Sequence, residues 1–173
     1  MIETIETLNF YLALGGVVMF LLGAILFFDQ KRERALRGLV QKYGLLVAFF
    51  VSGGGTVMAL VYSDVLGFEP CGLCWLARIC LFPQTLLLLT AIFVKDAAFA
   101  RYGMTLSVAG IIITLYHHYV QMGGAEFVRC PSAGSADCAQ RILFEFGFMT
   151  LPLIATATFV FLSALYYYIL RSR

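Results

Sequence analysis

Five stretches of this sequence are each apolar over about the length needed to cross a bilayer, and that repetition limits the fold more than any motif does. They run over residues 8–28, 43–62, 73–94, 103–122 and 148–170. A helix of roughly 20 residues spans the ~30 Å of bilayer hydrocarbon. It also satisfies its own backbone groups where no water is present. The chain is 61% hydrophobic and 13% charged, and a soluble domain of this size has too little interior to hide that much apolar surface. The expectation is an all-α membrane protein with five spans. A net charge of +2, with no basic stripe, excludes a nucleic-acid partner.

The second stretch is the weakest, because Ser52-Gly53-Gly54-Gly55 lowers helix propensity. Glycine nevertheless serves membrane helices where they pack closely. Pro83 and Pro152 fall inside spans, where neighbouring helices can satisfy freed carbonyls. The first stretch does not read as a secretory signal, since its leader carries Glu3 and Glu6 and its basic cluster follows the apolar run. With an outside amino terminus, Lys31, Arg32, Arg34, Arg37, Lys42, Lys95, Arg101, Arg171 and Arg173 all face the cytoplasm. Arg78, Arg129 and Arg141 face outward, and that asymmetry sets the expected orientation.

This topology puts Cys71, Cys74, Cys130 and Cys138 at the outer surface of a bacterial-type inner membrane, where disulfides persist. Cys80 falls within the third span and reads as packing. Four outer cysteines admit a zinc site, structural disulfides or redox pairs. The seven residues between Cys130 and Cys138 are loose for a zinc knuckle, and an oxidising compartment works against four thiolates, so no metal is expected. A Cys71–Cys74 bond closes too short a ring to stabilise much; what that spacing sets is redox poise.

Pro70 stops any helix ahead of Cys71, so both thiols are expected in the first turn of the third span, where the helix dipole favours a thiolate. Arg78 lies four residues after Cys74, about one turn deeper on the same face. It either snorkels to the interface or stabilises an anion beside Cys74, the thiolate or a reduced acceptor. The fourth span ends in YHHYVQ, where His117 and Gln121 share a face. Two adjacent imidazoles cannot both face the bundle, so one is expected among lipid headgroups. The 123–147 loop is turn-rich at first. Its later part, AQRILFEFGF, reads equally as an interfacial helix or as the fifth span beginning early.

FEPCGLCWLARI, YHHYVQ, CPSAGSADC and FGFMTLP, in that order, are the pieces by which the chain resembles the DsbB family of disulfide-bond formation proteins, and within it the short-loop BdbC-type members. The resemblance covers about residues 43–170. It implies a four-helix transmembrane bundle over residues 43–173 that encloses a quinone, with residues 1–42 adding one further N-terminal transmembrane helix and a basic loop. It implies a thiol oxidase that re-oxidises a DsbA-like thioredoxin-fold protein and passes electrons to ubiquinone or menaquinone. By the same resemblance, Cys130 and Cys138 exchange with the partner, Cys130 forming the mixed disulfide. Cys71 links to that pair, Cys74 sits against the quinone, and Arg78, His117 and Gln121 surround it. The rivals are a vitamin K epoxide reductase-like oxidoreductase, which would place its CxxC after the loop pair, and a helical scaffold with inert loop disulfides.

Overall fold

The computed structural model describes residues 2–28, 33–96, 98–127, 130 and 137–171. Of the basic residues weighed above, Lys31, Arg32, Arg129 and Arg173 lie outside the described residues, as do the side chains of Arg34 and Arg37. The helices are α1 (Ile2–Phe28), α2 (Glu33–Leu60), α3 (Gly72–Val94), α4 (Phe99–Gln121) and α5 (Leu151–Arg171). A π-helical turn, Val61–Val65, extends α2. Among the described residues, five helical segments are long and apolar enough to cross a membrane: Ile5–Phe27, Gly38–Val65, Gly72–Val94, Phe99–Gln121 and Leu151–Arg171. The protein is an all-α membrane protein.

Helices α2, α3, α4 and α5 pack in a closed ring, each against the next, and α1 lies along the outside of α5. Helix α5 is therefore the central element, and Phe159, Leu162, Leu165 and Tyr166 on it are almost wholly buried. Lipid tails are as apolar as leucine, so close packing and interhelical hydrogen bonds must hold such a bundle together. Both are present. The Gln84 carboxamide oxygen accepts from Ser107 Oγ at 3.1 Å and from Tyr166 Oη at 3.0 Å, joining α3, α4 and α5. Tyr168 Oη donates to the Leu26 carbonyl at 2.7 Å, joining α5 to α1.

The glycine run in α2 stays helical because it is where α2 meets α3. A Cβ on Gly55 would sit 3.1 Å from the Leu81 side chain, and Thr56 and Thr85 share a hydroxyl hydrogen bond of 3.1 Å. Glycines on α4 do the same against α5: a Cβ on Gly110 would fall 2.6 Å from the Phe159 ring. Overpacking of a filled core costs about 1–3 kcal/mol. Gly110→Ala is expected to lose stability in that range in a detergent unfolding titration, with Gly38→Ala, whose added methyl meets nothing within 4 Å, as the unaffected control. Equal midpoints for the two variants would refute the close α4–α5 contact.

The stretch before α5 is neither an interfacial helix nor an early start of the span. Phe144–Glu145 pairs antiparallel with Met149–Thr150. Phe146 and Gly147 make the turn, both with positive φ (54° and 76°), and the Phe148 N–H donates to the Glu145 carbonyl at 3.2 Å. Positive φ at both central positions is the turn that matches strand twist, and a phenylalanine in the first of them hides the hairpin from a sequence reading. Pro152 is the second residue of α5, where its missing N–H leaves no bond unmade.

Candidate active site

The site forms where α2 hands over to α3. After the π-helical turn the chain runs through Gly67, with φ 75°, to Pro70. Cys71 is extended (φ −68°, ψ 169°) and caps α3, its Sγ accepting the Cys74 N–H at 3.4 Å. The two sulfurs lie 3.0 Å apart as free thiols. Cys71 is buried and Cys74 half-buried. The hydrogen bond from the Cys74 thiol holds Cys71 well below the ordinary thiol range; burial opposes this, and the His117 ring and the Cys74 N–H reinforce it. Of the two thiols, Cys71 is thus the one whose thiolate the surroundings favour.

His117, from the last turns of α4, is buried against this pair. Its Nε2 stands 3.1 Å from the Cys138 carbonyl and 3.6 Å from Cys71 Sγ. A carbonyl only accepts, so Nε2 carries the proton and faces Cys71 as a donor. Gln121 Nε2, 3.5 Å from the same nitrogen, is also a donor and makes its real bond to the Gln140 carbonyl at 2.8 Å. That bond fixes the amide's orientation, and the Gln121 Oε1 is then buried with no hydrogen-bond partner among the described residues. The partly buried His118 bonds within the protein: its Nδ1 lies 2.8 Å from Thr150 Oγ1, on the hairpin that leads into α5.

Cys130 and Cys138 are joined by a disulfide with Cα atoms 6.1 Å apart. They pack in one cluster with Cys71, Cys74, Leu73 and Val120, so both cysteine pairs meet at one end of the bundle with His117 between them. Residues 131–136, inside this loop, lie outside the described residues. Arg141, which enters the sequence reading only as an outward-facing charge, secures the loop. Its Nε donates at 2.6 Å to the Gln121 carbonyl, one of the unpaired carbonyls at the end of α4, and its guanidinium lies over the Phe144 ring, 4.7 Å from the centroid.

Beneath the cysteines is a cavity of about 430 Å³. Cys71, Cys74, Arg78, His117 and Gln121 all line it, at one end of an otherwise mostly apolar wall. Arg78 donates through Nη2 to the Ala59 carbonyl at 2.8 Å, and its guanidinium lies 5.3 Å and 5.9 Å from the Trp75 and Phe82 ring centroids. These partners position the guanidinium without neutralising it. A dithiol, a proton-bearing imidazole and a cation thus face one space. Cys80 is buried within the core of the bundle, against Leu81 and Leu88 among others, apart from the four redox-spaced cysteines. Cys71, Cys74 and His117 offer three donor atoms within 4.8 Å of one another, a cluster the hydrogen bonds above already account for.

Comparison with known proteins agrees with this geometry. The family model described as "Disulfide bond formation protein DsbB" matches residues 41–169. The SPbeta prophage-derived disulfide bond formation protein B of Bacillus subtilis is 39% identical over 66% of this chain and 76% of its own length. The probable disulfide formation protein C of Bacillus cereus is 32% identical over 77% of this chain and 96% of its own. A probable disulfide formation protein of Chlamydia caviae is 36% identical over 70% and 87%. No solved structure matches. With two cysteine pairs packed at one end of five membrane-spanning helices, this disulfide oxidoreductase belongs to the DsbB family of disulfide bond formation proteins.

Proposed function

We propose that the protein is a quinone-dependent thiol oxidase. In this reading it takes two electrons from a DsbA-like thioredoxin-fold dithiol, through Cys130–Cys138 and then Cys71–Cys74, and delivers them to a membrane quinone. The observation that carries the reading is the cavity, which places a dithiol and the Arg78 guanidinium at the polar end of a mostly apolar space. The bias of basic residues toward the opposite ends of the spans supports an orientation with the cysteines on the outer, oxidising face of an inner membrane. Residues 43–173 would form the oxidase unit and residues 1–42 an added helix.

The residues fit such a group. The buried, unpaired Gln121 Oε1 accepts only, so it suits the hydroxyl of a reduced ring, while Arg78 suits negative charge developing on a ring oxygen. A quinone bound there would supply the sink for two electrons and two protons. The chain's own steps are thiol–disulfide exchanges. A partner thiolate opens the Cys130–Cys138 bond and then leaves as the oxidised partner. A loop thiolate next attacks Cys71 Sγ in a Cys71–Cys74 disulfide and expels Cys74 as a thiolate. The second loop cysteine gives up its proton, which Cys74 takes, then re-closes Cys130–Cys138 and expels Cys71. That last departure is fast because the Cys71 thiolate is stabilised where it sits, and a better-stabilised leaving group departs faster. His117 holds its proton at Nε2 between Cys71 Sγ and the Cys138 carbonyl, within reach of the departing Cys71 thiolate.

The test uses purified protein in detergent with a reduced thioredoxin-fold oxidant and a soluble quinone, following quinone absorbance. Sustained turnover is expected. Loop disulfides that resist mild reductant, with no quinone consumed, would favour the scaffold and sink the reading. In the same assay Arg78→Ala is expected to raise the apparent KM for quinone roughly tenfold or more, the worth of a charge-assisted hydrogen bond, with a smaller change in kcat. Unaltered quinone kinetics would leave Arg78 a helix-anchoring residue only.

A further inference from the structure

The match to the family begins at residue 41, so α1 lies outside it, yet α1 is built into the cavity wall. Tyr11, Gly15 and Met19 of α1 line the cavity opposite Phe50, Gly54 and Met58 of α2. Contacts with both α5 and the end of α2 fasten α1 where it stands. A Cβ on Gly16 would lie 3.0 Å from the Ile154 side chain, and one on Gly23 would lie 3.3 Å from the Phe161 backbone, so both glycines press α1 onto α5. At the cysteine end, the Tyr62 hydroxyl donates to the side-chain oxygen of the buried Asn9, tying α1 to the end of α2. Elsewhere α1 and α2 scarcely touch.

The result is a slot, bridged at one end and open along the rest. Tyr11 and Phe50 line the cavity yet are 65% and 67% exposed, which marks the slot as the place where the cavity meets lipid. At its centre, a Cβ on Gly15 or Gly54 would meet nothing within 4 Å. These two glycines are not required for helix packing, and what their missing side chains leave is room. The slot is continuous with the redox end of the cavity and its surface is mostly apolar. Its occupant should be a linear apolar chain attached to a polar, redox-active head.

We propose that α1 is one wall of the acceptor site and that the isoprenoid tail of the quinone passes between α1 and α2 over Gly15 and Gly54. This rests on the quinone reading above. The tail, unlike a free lipid chain, is held at one end by the ring beside Cys74 and Arg78. Helix α1 then selects acceptors by their tails, while the ring is handled by the residues of α3 and α4.

The test compares wild type, Gly15→Leu, Gly54→Leu and Gly38→Leu with a long-tailed isoprenoid quinone and with a tail-less quinone. Both slot variants are expected to raise KM for the tailed quinone roughly tenfold, about two buried methylenes of lost contact. They should leave KM for the tail-less quinone within about twofold. Gly38→Leu, which also adds a side chain into open space but away from the cavity, should change neither. Equal weakening of both quinones, or of neither, would overturn the proposal while the quinone reading stood. Failure of wild type to reduce either quinone would defeat that reading itself. Independently, a quinone carrying a photoreactive group along its tail should label α1 peptides and be displaced by unlabelled tailed quinone. Displacement by phospholipid but not by quinone would make the slot a lipid site and overturn the assignment.

Discussion

Cys74→Ser is expected to abolish turnover of a reduced thioredoxin-fold partner with quinone, by a factor on the order of 10³ or more, as removal of a reacting nucleophile does. The reason is electron counting at one place. Two electrons can leave the protein only if the 71–74 pair closes into a disulfide, and a serine hydroxyl cannot close it. Cys74 lies 3.0 Å from Cys71 Sγ and lines the cavity with Arg78, so no other described sulfur is placed to substitute. The loop pair is chemically untouched by the change. The variant should therefore still open Cys130–Cys138 once with reduced partner, seen as a single stoichiometric exchange on a thiol-trapping gel. Retained steady-state quinone reduction in Cys74→Ser would remove the pair from the electron path.

A second large effect is expected in the pH profile of Cys71 alkylation. An ordinary thiol, with a value near 8.5, loses about a tenfold share of thiolate for each pH unit below that. The Cys71 value is depressed, so its thiolate persists below the ordinary range and is lost only as pH falls through the depressed value. In reduced protein, the Cys71 alkylation rate should stay nearly flat from pH 8 to pH 6, while that of a reference thiol falls about 100-fold. The shape of the profile is the readout, because a more stable thiolate is also a weaker nucleophile. The Cys74 hydrogen bond is the largest cause, so Cys74→Ala should move the profile upward further than His117→Ala does. A wild-type profile parallel to the reference would refute the placement of charge on Cys71.

How much of this was legible in sequence differs by scale. The spans were, since runs of about 20 apolar residues admit few alternatives. So was the end of the bundle that holds the chemistry, because Pro70 and the Cys71–Cys74 spacing act locally, within one helical turn. Cys74, Arg78, His117 and Gln121 were singled out by helical spacing and resemblance, and the fold brings all four to the same cavity. What spacing cannot supply is contact between elements distant in sequence. The His118 bond to Thr150 spans 32 residues. The Arg141 bond to the Gln121 carbonyl depends on how the loop folds back, and the hairpin turns on a phenylalanine at positive φ. The position of α1 was equally hidden, because an apolar helix announces that it meets lipid or protein without saying which.

The anchoring of the loop has a consequence for how electrons move through it. Cys138 is wholly buried, its carbonyl is held by His117, and the residues just after it are fastened by Gln121 and Arg141. Cys130 is only partly buried. The two sulfurs of this disulfide are thus unequal, one a fixed terminal and the other a landing point. In the function proposed above, an incoming protein thiol would meet the more exposed Cys130, while Cys138 rests buried in the cluster that holds Cys71. In that reading electrons pass inward by relay across a standing junction, and no long swing of the loop is needed between one customer and the next.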